Sequence, residues 1–401
     1  GPILNIKFTK EADGFRLTME GTEKLKADIS EGSGSIDYIF TGCQLSQDVY
    51  FNEQVGGGSI TIGGSNANGN VKVHAALPGS LKYKTSIENN GKRQVLFIPN
   101  CIVSLERQTF NGSGERIIIN TALPCAYTEQ QSGKTMTITL SGTSRGLAQE
   151  SYTFDSQTMK SLTVNESGSS TIVKITTKEE AKFALGSSDS EKSIHILFIN
   201  KSDIPARNSL VVLDPGHGGR DIGASGETLS ENTVNLDLAL KTGALLTRKG
   251  IKVQYTRTDD TYVSLADRAA TANLLNAALF VSIHNNAHAD SSKMGTETYY
   301  YAPMSNPEQY LQKDERENLA TQIQTRLISS LGRTDRGVKT ANFQVLRDTE
   351  MPSALAECVF ISNPEEENLL KQEKYKNLIA QAIADGIAAC MKGITAVNPK
   401  L

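Results

Sequence analysis

Two histidines in the C-terminal half of this chain stand at the ends of apolar, β-branched runs. His217 follows Val211-Val212-Leu213-Asp214-Pro215-Gly216 and precedes Gly218-Gly219, and His284 closes Leu279-Phe280-Val281-Ser282-Ile283. Open α/β sheets take their ligands beyond the carboxyl ends of strands, and glycine lets backbone and ligand come close. Two such strands put both imidazoles on one rim of a parallel sheet. Glu231 lies fourteen residues after His217, beyond a Gly-, Ser- and Thr-rich stretch read as a loop, and opens a helical run behind Ser230 as N-cap. A carboxylate in a first helical turn is favoured by the helix dipole, which accounts for it without any function. Together with the histidines it completes a His, Glu, His set with a fourth position open, the pattern of a catalytic rather than a structural zinc. A zinc so held lowers the pKa of water to about 7 and polarises a carbonyl oxygen. Such chemistry also needs an acid or base nearby. Ser353-Ala354-Leu355-Ala356-Glu357 is a further short strand that brings a carboxylate to the same rim.

The elements that must hold these residues follow from periodicity. After Ser230, Val234, Leu238 and Leu245 form one helical stripe, and Gly250 follows its end. A strand is expected at Ile251–Tyr255 and a helix over about 264–277. Residues 209–392 thus alternate strands and helices, the pattern of an α/β domain. Residues 3–205 differ: short alternating segments are separated by Gly, Ser and Asn turns, which predicts all-β sandwiches. Three-stranded motifs recur there, starting at Phe15, Val71, Arg116 and Ile172. One such sheet cannot bury its apolar face alone, so the copies are expected to pair into two sandwiches, 3–108 and 109–205. His74 and His195 fall inside strands and read as packed or surface residues. The aromatic residues read as core, and the β half as a binding or spacing module.

Composition narrows the partners. A 401-residue chain can hold two or three cores, and 38% hydrophobic content with a net charge of −3 excludes an electrostatic appetite for nucleic acid. No apolar run approaches membrane-span length. Cys43, Cys101, Cys125, Cys358 and Cys390 lack CxxC spacing and read as buried free thiols. Gly1-Pro2 resembles the scar of a cleaved tag, so a native targeting segment is expected to have been lost.

Residues 209–392 resemble the zinc-dependent N-acetylmuramoyl-L-alanine amidases that trim bacterial peptidoglycan. The resemblance rests on Leu213-Asp214-Pro215-Gly216-His217-Gly218-Gly219, Glu231, Thr256-Arg257, Ser264-Leu265 with Arg268, and Ser282-Ile283-His284-Asn285-Asn286. It continues through Arg336-Gly337-Val338-Lys339, Val345-Leu346-Arg347, and Met351-Pro352 leading to Glu357. It implies a mixed sheet of about six strands flanked by helices, a zinc ion on His217, Glu231 and His284, and Glu357 as the catalytic carboxylate. It further implies action outside the cytoplasm on the amide between N-acetylmuramic acid and L-alanine, with zinc-activated water. Two alternatives stand beside it: a peptidoglycan-binding protein that has lost catalysis, and a zinc peptidase acting within the stem peptide. The family usually has Glu-x-Gly-Phe where this chain has Glu357-Cys358-Val359-Phe360, so Val359 is expected to narrow backbone freedom beside the carboxylate. Cys358 reads as buried rather than nucleophilic, and His288 as a loop residue. The β half resembles, more weakly, the AMIN modules that hold such amidases at the cell envelope, and an envelope component is its implied partner.

Overall fold

The structure, a computed structural model, describes residues 1–79 and 81–397. Two compact units divide the chain, Gly1–Ile204 and Pro205–Leu401.

The first unit is built of β-strands with buried and exposed positions in alternation, as in Ser35–Thr41 and Thr135–Leu140. Its longest strand, Arg93–Phe110, serves two cores. The strand's first half pairs with Gly14–Gly21 and its second half with Gly114–Thr121. Leu17, Tyr38, Ile62 and Leu96 pack into one core, and Ile117, Ile138, Val173 and Ile196 into the other. The expected three-stranded motifs do not stay within single sheets. Gly14–Gly21 belongs to an eight-stranded sheet, whereas Ala27–Gly32 and Ser35–Thr41 belong to a five-stranded one. The third copy splits the same way, after Gly114–Thr121. The cause lies in the connections. Residues 22–26 make no tight hairpin, and Leu25 is buried in the core as the chain crosses between sheets; Leu123 and Cys125 do the same in the third copy. The strand expected from Leu81 begins at Lys84.

The second unit carries a six-stranded sheet. Its strands are β1 (Asn208–Pro215), β2 (Lys252–Tyr255), β3 (Ala277–Asn286), β4 (Thr296–Tyr300), β5 (Asp335–Thr340) and β6 (Ser353–Phe360), in spatial order β2-β1-β3-β6-β4-β5. The first four in that order are parallel, β4 runs antiparallel to β6, and β5 is parallel to β4, so the sheet is mixed. The helices are α1 (Glu231–Arg248), α2 (Leu265–Leu274), α3 (Pro307–Leu311), α4 (Lys313–Leu331), α5 (Gln344–Arg347), α6 (Pro364–Leu370) and α7 (Glu373–Val397). The α2 helix stops before the expected position 277, where Asn276 adopts φ 48° and turns the chain into β3.

Strand alternation decides what each face of this sheet does. Val211, Leu213, Val281, Ile283, Ala354 and Ala356 pack with α1, α4 and α7 into the main core. Val212, Phe280 and Leu355 face the other way, against the smaller cover given by α2 and α5. Followed toward the carboxyl ends, this second face changes from apolar to polar: Val212 to Asp214, Phe280 to Ser282 and His284, Leu355 to Glu357. The thinly covered face therefore ends in a polar rim.

Candidate metal centre

The rim is assembled from three directions. His217 follows β1, and its backbone turns back on itself: it has φ 63°, and Gly218 and Asp221 exchange backbone hydrogen bonds of 2.7 and 3.1 Å. His284 lies near the end of β3 and pairs in register with Glu357 on β6. Glu231 enters at the start of α1. Ser230 occupies the N-cap position but its hydroxyl does not cap the helix. Carbonyls of the preceding loop do so instead, with the Glu231 N–H donating to Ala224 and that of Asn232 to Ile222. The loop is itself tied down by Glu367, whose carboxylate accepts the N–H groups of Glu227, Thr228 and Leu229 at 2.7–2.8 Å.

These connections bring His217, Glu231 and His284 together, with one donor atom from each within 4.8 Å of the others. Glu231 Oε2 is 3.2 Å from His217 Nε2, and its Oε1 is 2.9 Å from His284 Nδ1. The two rings stand edge to face, 4.9 Å apart at 81°. Donors about 2.0–2.2 Å from a tetrahedral zinc lie roughly 3.3 Å from one another, and each imidazole nitrogen stands near that spacing from one oxygen of the Glu231 carboxylate. The space is kept clear by Gly216, where a Cβ would fall 2.1 Å from His284 Cε1.

Electrostatics hold Glu231 in its ionised, ligating form. Burial pushes the Glu231 carboxyl up, but hydrogen bonds and charge from His217 and His284 outweigh it and hold the group well below the usual carboxylate range. Its remaining contacts are donors: the Ala224 N–H at 2.8 Å, the Asn285 N–H at 3.2 Å and Asn235 Nδ2 at 3.2 Å. His217 Nδ1 meets Asp221 Oδ2 at 2.8 Å, which leaves Nε2 to face the cluster. Sequence reasoning missed Asp221, whose only signal was a carboxylate four residues after the histidine in a loop.

Glu357 stands one strand spacing from His284. Its residue is partly exposed, yet Oε2 is closed off from solvent and has no hydrogen-bond partner among the described residues. Burial, with the charges of Glu231 and Glu297, pushes its carboxyl well above the ordinary value. Beyond it the pairing skips from His284–Glu357 to Asn286–Phe360. This irregularity lets Cys358 and Val359 both turn into the main core, where each is fully buried. Val359 needs no left-handed backbone there.

Two buried arginines shape the His217 loop. Arg268 pairs with buried Asp214 at 2.8 Å and donates to the carbonyls of Pro215 and His217 at 2.7 and 2.8 Å. Arg257 donates to the carbonyls of Pro215 and Gly216, both at 3.0 Å. Asp214 also accepts the hydroxyls of Thr256 and Ser282 at 2.6 and 2.7 Å. A cleft of about 340 Å³ opens over the cluster, lined by His217, His284, Glu357, Tyr262, Val263 and Phe343. His288 stays outside this set as an exposed turn residue, its Nδ1 accepting the Asp290 N–H. All five cysteines are free, four buried and Cys390 partly so. No described helix is long and apolar enough to cross a membrane.

The chain is similar to known proteins over its second unit. Over 187 residues the chain is 42% identical to N-acetylmuramoyl-L-alanine amidase LytC of Bacillus subtilis, covering 47% of this chain and 36% of that protein. It is 38% identical over 183 residues to the uncharacterized protein YqiI of the same organism, covering 46% of this chain and 85% of YqiI. Among solved structures, the catalytic domain of CwlV, an N-acetylmuramoyl-L-alanine amidase from Bacillus (Paenibacillus) polymyxa, is 38% identical, with 46% of this chain and 98% of that one covered and a TM-score of 0.41. The chain thus spans about a third of LytC, the first of its curated relatives. Residues 211–389 match the N-acetylmuramoyl-L-alanine amidase family, and the chain belongs to it.

Proposed function

We propose that this chain is a zinc-dependent peptidoglycan hydrolase that cuts the amide between N-acetylmuramic acid and the L-alanine of the stem peptide. One observation carries the reading: His217, Glu231 and His284 converge at ligand spacing with the carboxyl of Glu357 beside them. Family membership supports it.

Zinc, when bound, supplies a Lewis acid that polarises the amide carbonyl and makes water a nucleophile at neutral pH. In this reading His217, Glu231 and His284 are its ligands, and Asp221 fixes the His217 ring through Nδ1. Glu357 takes the proton of the attacking water and returns it to the nitrogen of the departing L-alanyl peptide. Its closed-off Oε2 suits this role, because a partnered carboxylate would be slower to accept and release a proton. Arg257 and Arg268 keep the His217 backbone fixed while the cleft holds the substrate. The first unit serves as an anchor to an envelope component outside the cytoplasm, as AMIN-like modules would.

The test uses purified cell wall. Glu357→Ala is expected to bind zinc as the parent does and to lose at least a hundredfold in the release of peptides with L-alanine amino termini. Chelation of the parent should abolish release, and added zinc should restore it. Release by the variant at the parental rate would refute the assignment of Glu357. New amino termini within the stem peptide, in place of L-alanine, would identify a zinc peptidase.

A further inference from the structure

One charged cluster beside the cleft is not used by this chemistry. Glu297 on β4 is the cross-strand partner of Glu357, so His284, Glu357 and Glu297 form a row across three strands. Glu297 is buried, and four donors saturate it. Asn286 Nδ2 and the Tyr299 hydroxyl reach Oε1 at 2.8 and 2.7 Å. Arg336 Nε and Lys339 Nζ both reach Oε2, at 2.9 and 2.5 Å. Burial pushes the Glu297 carboxyl up, but these partners outweigh it and hold the group ionised.

Two cations on one oxygen is an unusual use of a strand. Residues three apart on a regular strand point to opposite faces, which would separate Arg336 from Lys339. Here β5 carries a bulge: Thr296 pairs with Asp335, but Thr298 pairs with Val338. Gly337 sits in the extra turn of backbone at φ 82°, a left-handed conformation that glycine adopts without strain, and its N–H is held by Asp335 at 2.9 Å. The bulge resets the alternation and brings both cations to Glu297. One carboxylate cannot neutralise two cations, so the cluster keeps a net positive charge. Both side chains remain partly open to solvent, at 31% and 40%. Arg336 is further steadied over the Phe360 ring at 5.0 Å. Tyr299 links the cluster to the cleft by packing edge-on against Phe343.

We propose that Arg336 and Lys339 form a carboxylate-binding subsite for the peptide side of the substrate, a reading that rests on the amidase assignment above. Neighbouring strands are about 4.8 Å apart, so Glu297 holds the cations roughly one spacing beyond Glu357. An extended peptide advances about 3.3 Å per residue, which puts the residue after L-alanine at that distance. The glycan side offers no anion there, because the muramic-acid carboxyl is consumed in the scissile amide. The ligand is therefore the free α-carboxylate of an acidic second stem residue, and the subsite selects against stems in which that carboxylate is amidated.

The test measures binding as well as turnover. The probes are L-alanyl-γ-D-glutamyl-L-lysine and the same peptide with its glutamyl α-carboxylate amidated, titrated into the full zinc-loaded chain by calorimetry. The free acid should bind about tenfold or more tightly, with the preference shrinking at high salt. Lys339→Gln should remove most of that preference and leave zinc content unchanged. Muramoyl forms of the two peptides should show the same discrimination in KM. Equal binding of both peptides to the parent overturns the proposal, and this comparison needs no variant. A preference that survives in a Lys339→Gln, Arg336→Gln double variant of unchanged melting temperature also overturns it. Failure of the parent to cleave either muramoyl peptide would count against the amidase assignment alone, since the binding comparison stands apart from catalysis.

Discussion

At His217 the backbone is held where few side-chain-bearing residues go, at φ 63°. Such a conformation costs about 1–2 kcal/mol for an L-residue, and it persists because neighbouring groups over-determine it. Arg268 holds the carbonyl at 2.8 Å, and Asp221 holds the ring at the same distance. Asp221 is nearly half exposed and supports no core. Asp221→Ala should therefore leave the melting temperature of the metal-free protein within a degree or two, while zinc affinity falls about 10- to 100-fold in a competitive chelator titration. An unchanged affinity would show that the ring needs no such partner. The four central residues were legible in the sequence because each ends or opens an element: His217 and His284 close apolar runs, Glu231 opens a helix, and Glu357 lies on a short strand. Asp221 was not, since no periodicity fixes where a loop carboxylate points; only the reversal at Gly218–Asp221 brings it back to the ring.

Among the elements, the β1-to-loop junction bears the greatest constraint. The carbonyls of Pro215, Gly216 and His217 leave the sheet without strand partners, and buried carbonyls need donors. Arg257 and Arg268 provide them. Both arginines are almost fully buried, at 4% and 2% exposure, and Arg268 holds a helix position where periodicity alone predicts an apolar side chain. This is why the sequence pattern placed α2 but did not reveal what its buried Arg268 was for. Arg268→Met would keep the length of the side chain and leave Asp214 charged and buried, with only the hydroxyls of Thr256 and Ser282 as partners. Breaking a buried pair in this way costs about 3–5 kcal/mol. The urea midpoint of the second unit should fall accordingly, and zinc binding should weaken with it. A midpoint equal to that of the parent would mean that the arginine acts on the loop alone and not on the stability of the sheet. The alternation of β1, β3 and β6 was legible in the same sequence, because period-two patterning needs only local order. The bulge at Gly337 and the skip after Glu357 were not, because a change of register depends on the partner strand.

For the whole molecule, the change from alternating β-segments to strand–helix alternation marks where the grammar of the chain changes, and the two compact units meet at Ile204 and Pro205. What the pattern hid is the use of one strand, Arg93–Phe110, by two cores, because no local feature of an 18-residue strand reports which sheet lies over each half. The division of labour proposed for the units can be tested by separating them. His217, Glu231, His284 and Glu357, the arginine clamps and the Glu297 cluster all lie within Pro205–Leu401, which also has its own core. A chain reduced to that unit should hydrolyse a soluble muramoyl-peptide within about twofold of the full chain. On sedimented cell wall it should fare worse. If the first unit tethers the enzyme, its loss removes an effective concentration that can be worth a hundredfold in apparent affinity, and both co-sedimentation and the rate at low enzyme should drop about tenfold or more. Equal co-sedimentation of the two forms would reject the anchoring role. Loss of activity on the soluble substrate would show that the catalytic unit depends on the first one.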